Sequence, residues 1–347
     1  MPTQDLTIYF LNVGQGHCAF LKFPGDEAGL LIDINHAKPS SGGGIHVLNF
    51  LRDQLKDKKG QFTCIIGHPD KDHCRGLKDI WEASDLHIER LFDSTLRKEK
   101  ENGQEYPEYD TYIDIVGKLK KDGKVVTVKR GTSYNSALKF DWGGIRFFTP
   151  EKDFSSEKLG GDDMNRKSAL IQLEYHGTRV LFASDTSFLT YKEDLAGWGE
   201  FKSSMLKSKL LLVSHHGSRS FFRNSEEDES YTEALDAIAP DYAIISVGKD
   251  NPHDHPHKDA LDLYSKKAKK VYRTDQDGSA VVTFRKLSNG TVAVDVNPDS
   301  TIDRKYRWGD DDGGNGGSSE DKGPVVTSSW KNSSPSVLGG NPKGSKG

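Results

Sequence analysis

Short apolar runs alternate with amphipathic segments along most of the chain. Apolar runs of about four to eight residues between glycine, proline or polar residues are typical of strands, and hydrophobic residues repeated every three to four positions are typical of helices. The pattern predicts strands at residues 6–13, 17–23, 29–34, 62–67, 86–93, 124–128, 137–142, 145–149, 168–175, 178–183, 210–213 and 242–247. It predicts helices at residues 45–55, 112–119, 231–238 and 258–267, and another that begins near residue 75. The hydrophilic stretch 94–110 has no such period and is expected to form a surface loop able to cover a site.

Polar residues gather directly after several of these strands. They stand at residues 33–36, 68–73, 184–186, 214–218 and 251–257. Strands that alternate with helices and end in polar loops bring those loops to one rim of a sheet. We therefore expect an α/β protein in which the clusters meet.

One of these clusters, His-Pro-Asp-Lys-Asp-His at residues 68–73, places candidate metal ligands on a tight turn. They are His68, Asp70, Asp72 and His73. Imidazole and carboxylate groups bind borderline and hard divalent cations, and ligands spaced i, i+2, i+4 and i+5 can be divided between two adjacent ions. An ordinary polar turn can have the same composition, but the clusters elsewhere in the chain favour a metal site.

Composition limits how much of the chain forms one core. Hydrophobic residues make up 34% of the 347 positions and charged residues 29%, which suits one large core only if part of the chain is unstructured. From residue 309 onward Gly, Ser, Asn, Asp and Lys dominate, and such a segment cannot bury enough surface to fold. We expect a folded domain at residues 1–300 and a disordered tail at 301–347, which could tether a partner or a second module.

Other global features point to a soluble cytoplasmic protein. No apolar run approaches the roughly 20 residues of a membrane span, and the N-terminus lacks the basic and then apolar pattern of a secretion signal. Cys18, Cys64 and Cys74 have no zinc-ribbon spacing and are odd in number, so reduced thiols are expected. The net charge of −4 argues against coating nucleic acid by bulk electrostatics, although the basic runs 118–130 and 266–273 could form a local groove.

Motifs across residues 6–285 follow the order of a known family. They are FLNVGQG at 10–16, LID at 31–33, HPDKDH at 68–73, Asn165 with Ser168, SD at 184–185, SHHGSRS at 214–220, ISVG at 245–248, Asn251 with HP at 255–256, and YRTD at 272–275 with Gly278. This set resembles the metallo-β-lactamase superfamily. The resemblance is greatest to the hydrolase domain at the C-terminal end of the DNA-uptake channel protein ComEC and to its stand-alone soluble relatives.

The resemblance implies a four-layer αββα metallo-β-lactamase sandwich with two divalent ions, zinc or manganese, between its inner edges. It implies that His68 and Asp70 hold one ion, while Asp72 and His73 serve the second. Asp185 matches the carboxylate that bridges both ions in the superfamily.

Histidines later in the chain would complete the ligand set. His255 and one of His215 or His216 match those positions, and the choice between the adjacent pair stays open. Asp33 matches a position that orients ligands. A histidine expected before residue 185 is missing, and Asn165 stands roughly in its place. We therefore expect the first ion either to bind weakly or to be completed by another histidine.

Other departures concern single positions. Many members of the superfamily have histidine where Asp70 stands; the ComEC-like branch commonly has aspartate, a harder ligand that makes manganese as plausible as zinc. Family members usually have aspartate in place of Asn12 and His17, and glycine in place of Asp254. The ComEC channel segment has no counterpart in this sequence, so no role in DNA transport is transferred.

The implied chemistry is hydrolysis by a hydroxide that bridges the two ions. Asp72, His216 and His255 are the expected catalytic residues. Whichever of the paired histidines is not a ligand could donate a proton to the leaving group or a phosphate oxygen. The other candidate donors are His253, His257 and Arg219, and Ser218 is expected in a turn or at the substrate.

Three functions fit these residues. The first is a metal-dependent phosphodiesterase or nuclease acting on nucleic acid, which the motifs and basic runs favour. The second is a hydrolase of a small molecule such as a cyclic nucleotide, a lactone or another ester, favoured by the acidic charge and the covering loop. The third is a non-catalytic binding module that kept the fold, for which the histidine missing near Asn165 is the hint.

Overall fold

Strands and helices alternate through a computed structural model that describes residues 5–25, 29–39, 44–101, 104–132 and 143–309. The strands are β1 Leu6–Phe10, β2 Ala19–Lys22, β3 Gly29–Ile32, β4 Gln61–Ile66, β5 His87–Asp93, β6 Val125–Thr127, β7 Gly143–Phe147, β8 Ile171–Tyr175, β9 Thr178–Phe182, β10 Leu210–Leu212, β11 Tyr242–Ile245, β12 Lys270–Arg273, β13 Ala280–Lys286 and β14 Val292–Pro298. The α-helices are α1 Val47–Leu55, α2 Lys71–Cys74, α3 Leu77–Glu82, α4 Pro107–Lys121, α5 Gly161–Lys167, α6 Glu233–Ile238, α7 Lys258–Lys267, α8 Thr274–Asp277 and α9 Ser300–Lys305. The predicted strand 137–142 and the tail from residue 310 lie outside the described residues.

The strands form two sheets. Within the described ranges, the first has the order β14-β13-β1-β2-β3-β4-β5-β6 and the second the order β12-β11-β10-β9-β8-β7. Strands β3 to β6 run parallel in the first sheet, as do β9 to β12 in the second. Parallel strands end at the same edge, so the loops after β3 and β4, and those after β9, β10 and β11, can meet.

Alternate strand residues face two different cores. In β1, Leu6, Ile8 and Phe10 pack between the two sheets against residues of β8 such as Ile171 and Leu173. The outer face of the first sheet packs on α1, α3, α4 and α9, and that of the second packs on α6 and α7. The layers therefore run helix, sheet, sheet, helix, which confirms the predicted four-layer αββα class.

The prediction of a surface loop at residues 94–110 is wrong for the first part of this stretch. Ser94, Thr95 and Leu96 are buried, and Leu96 packs against Phe154 and Met164. The second part of the stretch belongs to α4, which begins at Pro107 because proline is tolerated in the first helical turn. Thr95 and Leu96 lack a helical or strand period because they pack through an irregular backbone.

The last described residues also pack into the domain. Helix α9 carries Ile302 into the core beneath α1, and Tyr306 follows it with 7% of its surface exposed. The compact unit extends to Trp308. Among the helices of the described ranges, none combines the length and apolar character needed to cross a membrane.

Candidate metal centre

The candidate ligands lie where the parallel strands of the two sheets end. Asp33 follows β3, residues 68–73 follow β4, Asp185 follows β9, and residues 215–216 follow β10. Backbone hydrogen bonds join these loops, since Ile34 N donates to His73 O at 2.9 Å and His215 N donates to Ser184 O at 2.9 Å. The clusters predicted to meet on one rim therefore do so.

Asp33 connects the β3 and β4 loops through both carboxylate oxygens. Gly67 N donates to Asp33 Oδ1 at 2.6 Å, and His73 Nδ1 donates to Asp33 Oδ2 at 2.8 Å. Only glycine fits at position 67, because a Cβ there would lie 2.5 Å from Ser184 Oγ. With Nδ1 of His73 held in this way, its Nε2 faces the opposite side, where the carboxylate of Asp185 lies 3.1 Å away. Asp33 thus has the geometry of an orienting residue.

Imidazoles surround both oxygens of Asp185. Oδ1 lies 3.1 Å from His73 Nε2, while Oδ2 lies 3.7 Å from His68 Nε2 and 3.6 Å from His215 Nε2. The backbone N–H of Asp185 donates to Ser168 Oγ at 3.2 Å and so fixes the main chain. This carboxylate has a different imidazole at each oxygen, which is the arrangement a bridging ligand requires.

A second carboxylate, Asp72, lies beside His216. Asp72 Oδ2 accepts from His216 Nε2 at 2.8 Å and lies 3.8 Å from His73 Nε2. His216 Nδ1 donates to Ser246 O at 2.7 Å, which fixes the ring. Four residues each offer one possible ligand atom here, and these four atoms all lie within 4.8 Å of one another. The residues are Asp72, His73, Asp185 and His216.

Asp70 has a partner that the sequence did not predict. Its Oδ2 lies 3.7 Å from His68 Nε2, and its Oδ1 lies 2.6 Å from Lys98 Nζ. Lys98 is largely buried and its Nζ also lies 5.1 Å from the Tyr106 ring centre. The residue falls in the stretch expected to be a surface loop, so no motif pointed to it.

Several buried atoms at the centre make no hydrogen bond within the described part of the chain. They include both ring nitrogens of His17, His68 Nε2, His73 Nε2 and Asp185 Oδ1. The last two lie 3.1 Å apart but without hydrogen-bond geometry. Buried polar atoms are almost always hydrogen-bonded, and nitrogen and oxygen atoms that converge unpaired match the ligand preferences of divalent zinc or manganese. The donor set therefore fits the metal ions that the resemblance implies.

Electrostatic interactions shift the ligand groups in opposite directions. Burial raises the pKa of the Asp185 carboxyl, but the imidazoles of His73, His215 and His68 outweigh burial and hold this pKa well below its usual value. Burial lowers the pKa of His73, yet Asp185 and Asp33 outweigh it and raise this pKa well above its usual value. Carboxylates that stay charged when buried provide the negative potential that a cation needs.

His17 belongs to this site, although the sequence analysis treated it only as a departure from the family. It is buried, and its ring centre lies 4.4 Å from that of His216 and 4.7 Å from that of His73. Burial and these two imidazoles lower the pKa of His17 well below its usual value. Its place directly after the Gly-Gln-Gly turn, where the family resemblance leads us to expect aspartate, is the sequence signal that could have identified it.

His255 lies beside the paired histidines. Its ring centre is 5.4 Å from that of His215 and 6.2 Å from that of His216. Among the described residues, no carboxylate lies within 4 Å of the ring nitrogens of His255. His255 therefore lies beside the paired histidines, which contact Asp185 and Asp72, without contacting these carboxylates itself. Burial and the imidazoles of His215 and His216 lower its pKa to about 3, which leaves a neutral ring at neutral pH.

The remaining predicted residues surround this core at different distances. His253 and His257 flank His255, with ring centres 5.6 Å and 4.8 Å away. The Arg219 guanidinium contacts Glu226 and Asp259.

Two further predicted residues, Ser218 and Asn165, accept hydrogen bonds from backbone N–H groups. Ser218 Oγ accepts from Ser220 N at 3.3 Å and so begins a short helical turn. Asn165 O accepts from Ser168 N at 3.0 Å, and Ser168 in turn contacts the backbone of Asp185. Asn165 is therefore connected to the candidate bridging ligand Asp185 through Ser168.

Left-handed backbone positions gather at the centre. Asp33, Ser184, His215 and His216 have φ values of 56°, 44°, 48° and 55°. Each such position costs a non-glycine residue about 1–3 kcal/mol, and this cost is commonly found at functional sites. The bend at residues 215 and 216 lets two adjacent imidazoles reach two different carboxylates.

Comparisons with known proteins bear on this arrangement. No protein-family model matches the chain. The chain is 24% identical over 300 residues to ComE operon protein 3 of Bacillus subtilis (strain 168), an alignment that covers 82% of this chain and 34% of that protein. It is 26% identical over 175 residues to competence protein ComA of Neisseria gonorrhoeae, which covers 50% of this chain and 23% of that protein. The resemblance to ComEC-like competence proteins is confirmed.

The chain spans about a third of the first relative and less than a quarter of the second. Similar solved structures include the metallo-beta-lactamase fold protein YhfI from Bacillus subtilis, with 12% identity and a TM-score of 0.43 over 78% of this chain and 96% of that one. Zn(2+)-bound PqqB from Methylobacterium extorquens has 12% identity and a TM-score of 0.42 over 77% of this chain and 97% of that one.

Proposed function

We propose that this chain is a metal-dependent hydrolase that cleaves phosphodiester bonds in nucleic acid. The observation that carries the proposal is Asp185, whose two oxygens lie toward two different groups of side chains. A carboxylate placed in this way is suited to bridge two cations. Dinuclear sites of this kind are common in enzymes that hydrolyse phosphate esters.

The contacts divide the candidate ligands into two sets that share Asp185. The first set consists of His68, Asp70, Asp185 and His215, and the second consists of Asp72, His73, Asp185 and His216. In the first set, Asp185 Oδ2 is the common neighbour of the two imidazoles, at 3.7 and 3.6 Å. In the second, His73 and His216 reach Asp72 Oδ2 at 3.8 and 2.8 Å. Each set offers two nitrogen and two oxygen ligands, a combination that both zinc and manganese accept.

This division accounts for the histidine missing near Asn165. His215 fills the first set because its Nε2 points to Asp185, while Ser220 Oγ lies 3.1 Å from its Nδ1 and orients the ring. Both members of the His-His pair are then ligands. The histidine missing near Asn165 therefore no longer favours a non-catalytic module, because the first set is complete without it.

The protein's own residues would position the reacting groups. Bound divalent ions would supply Lewis acidity that lowers the pKa of water and stabilises charge on a phosphoryl oxygen. Asp33 holds the His73 ring, and Lys98 holds one oxygen of Asp70. His255 has a neutral ring beside the two ligand sets, so it can accept a hydrogen bond there.

Two features support a phosphodiester as the substrate. The first is the resemblance to the hydrolase domain of DNA-uptake proteins, supported by the similarity to ComE operon protein 3. The second is Lys98, a cation beside the first ligand set that would stabilise an anionic substrate better than a neutral ester.

The proposal is tested with purified protein stripped of metal and reconstituted with manganese or zinc. Substrates are single-stranded DNA, RNA, bis(p-nitrophenyl) phosphate and a panel of lactones. We expect cleavage of the nucleic acids and of the diester, and loss of activity by at least about a thousandfold in Asp185→Ala, because electrostatic stabilisation of this kind typically contributes that much. Asp236→Ala, an exposed aspartate in α6, is the matched control and should keep full activity.

Other outcomes would change the proposal. Cleavage of lactones or of the small diester alone would favour a small-molecule hydrolase. An inert protein that retains no metal would contradict the proposal and favour a binding module.

A further inference from the structure

A cleft opens beside the candidate metal centre and has a volume of about 270 Å³. Its walls come from the loop after β1, the segment after β3, the residue after α2 and the loop after β11. The lining residues that carry the argument are Gln15, Lys38, Arg75, Lys249, Asp250 and Asn251. These segments lie at the same edge of the sheets as the loops that carry the candidate metal ligands.

Two residues join the cleft to the centre. Gln15 Nε2 lies 3.5 Å from His255 Nδ1, and Gln15 Oε1 accepts from Gly248 N at 3.1 Å. Asn251 Oδ1 accepts from His255 N at 3.0 Å. Arg75 follows His73 by two residues along the chain. The cleft therefore borders His255, which lies beside the paired histidines.

The charge of the cleft is opposite to that of the whole chain. Lys38, Arg75 and Lys249 contribute three positive charges against one negative charge from Asp250, whereas the chain as a whole carries −4. Arg75 is exposed, and its guanidinium makes no salt bridge with a carboxylate in the described ranges. A local cationic cleft on an acidic protein concentrates an anionic ligand at that place.

The size of the cleft favours a strand over an enclosed ligand. Pockets that enclose small molecules commonly measure about 300–1,000 Å³ and are mostly apolar. This cleft is slightly smaller, and its lining includes the cationic residues Lys38, Arg75 and Lys249. A phosphodiester backbone carries the negative charge that these cationic residues would attract.

We propose that this cleft binds the phosphodiester backbone next to the scissile bond, so that the substrate is a nucleic-acid strand and not a small diester. This inference rests on the proposed function. Arg75 is placed to contact the phosphate adjacent to the reacting one, and Lys38 and Lys249 contact the backbone beyond it. Arginine suits this role because its planar fork can donate two hydrogen bonds to one phosphate.

The test compares the wild type with the triple variant Lys38→Ala, Arg75→Ala, Lys249→Ala. Binding of a fluorescein-labelled single-stranded oligonucleotide is measured by anisotropy in EDTA at several salt concentrations. Hydrolysis of the oligonucleotide and of bis(p-nitrophenyl) phosphate is then measured with manganese. Lys207→Ala, an exposed lysine of a different cleft, is the matched control.

We expect the triple variant to bind the oligonucleotide at least about tenfold more weakly. The slope of log affinity against log salt should fall by about 0.7 for each phosphate contact removed, or about 2 in all. Its kcat/KM should fall about tenfold more for the oligonucleotide than for the small diester. The Lys207→Ala variant should match the wild type in all three measurements.

Equal losses on both substrates, or an unchanged salt slope, would overturn the inference. The two proposals can also fail separately. A wild type that binds the strand through these residues but hydrolyses no substrate would contradict the proposed function and leave the cleft assignment supported. A wild type that hydrolyses both substrates and binds the strand no better than the triple variant would contradict the cleft assignment alone.

Discussion

Asp70 is held from both sides, with Oδ1 at 2.6 Å from Lys98 Nζ and Oδ2 at 3.7 Å from His68 Nε2. Burial raises the pKa of Asp70, but the nearby imidazole of His68 and the ammonium of Lys98 outweigh burial and lower this pKa to about 2. The motif predicts a ligand role for Asp70, and this role stays a prediction. The role of Lys98 was not predictable, because the contact joins residues 28 positions apart through a segment without periodicity.

Replacing Lys98 tests this positioning role. Lys98→Met should weaken manganese binding by about ten- to a hundredfold, since residues that orient metal ligands typically contribute that much. Lys98→Arg keeps the positive charge and should retain most of the affinity. Isothermal titration calorimetry measures both variants, and unchanged affinity in the methionine variant would show that Lys98 does not position Asp70.

The paired histidines supply a second test at this scale. Because His215 contacts Asp185 and His216 contacts Asp72, each alanine variant should lose one of two bound ions and retain the other. Elemental analysis after dialysis measures the ratio of metal to protein, with His87→Ala on the exposed start of β5 as the control. Two ions remaining in either variant would remove that histidine from the ligand set. The sequence alone left this choice open, since the left-handed backbone at both residues is not visible in it.

At the scale of elements, the end of β5 fixes the segment that carries Lys98. Asp93 accepts from Arg97 Nη2 at 2.7 Å, from Thr95 N at 2.9 Å and from the hydroxyl of Tyr112 in α4. The carboxylate and guanidinium are 5% and 12% exposed. The strand was predicted correctly to its last residue, but the buried turn behind it was not, because these contacts are made by single polar residues and not by an apolar pattern.

Asp93→Ala should destabilise the fold by about 3–5 kcal/mol, because it leaves the buried Arg97 guanidinium without its partner. Urea unfolding followed by fluorescence measures the change. Tyr112→Phe removes one hydrogen bond and keeps the ring, so its expected cost is about 1 kcal/mol. Similar small losses in both variants would show that the Asp93 network does not hold this turn.

At the scale of the whole molecule, the alternation of strands and helices predicted an α/β protein, because inward-facing residues such as Leu6 and Ile171 repeat with a strand period. The four αββα layers were implied by the family resemblance and not by this alternation. The convergence of the ligand loops followed from parallel strands ending at one edge. The sequence could not place α9 in the core, since its apolar contacts come from Ile302 and Tyr306 alone within a polar stretch.

Truncation tests how far the folded unit extends. A chain that ends at Trp308 should keep the thermal midpoint and the activity of the full chain. A chain that ends at Asp299 should lose roughly 3 kcal/mol or more, because Ile302 and Tyr306 leave the core. Differential scanning calorimetry compares the two, and equal midpoints would show that α9 contributes nothing to the fold.

The central claim is that Asp185 joins two metal ions, and anomalous diffraction from crystals of the manganese-loaded protein tests it most directly. The account predicts two anomalous peaks about 3.5–4 Å apart, one within the first ligand set and one within the second, with an oxygen of Asp185 at each. A single peak, or a pair of peaks that does not share Asp185, would contradict it.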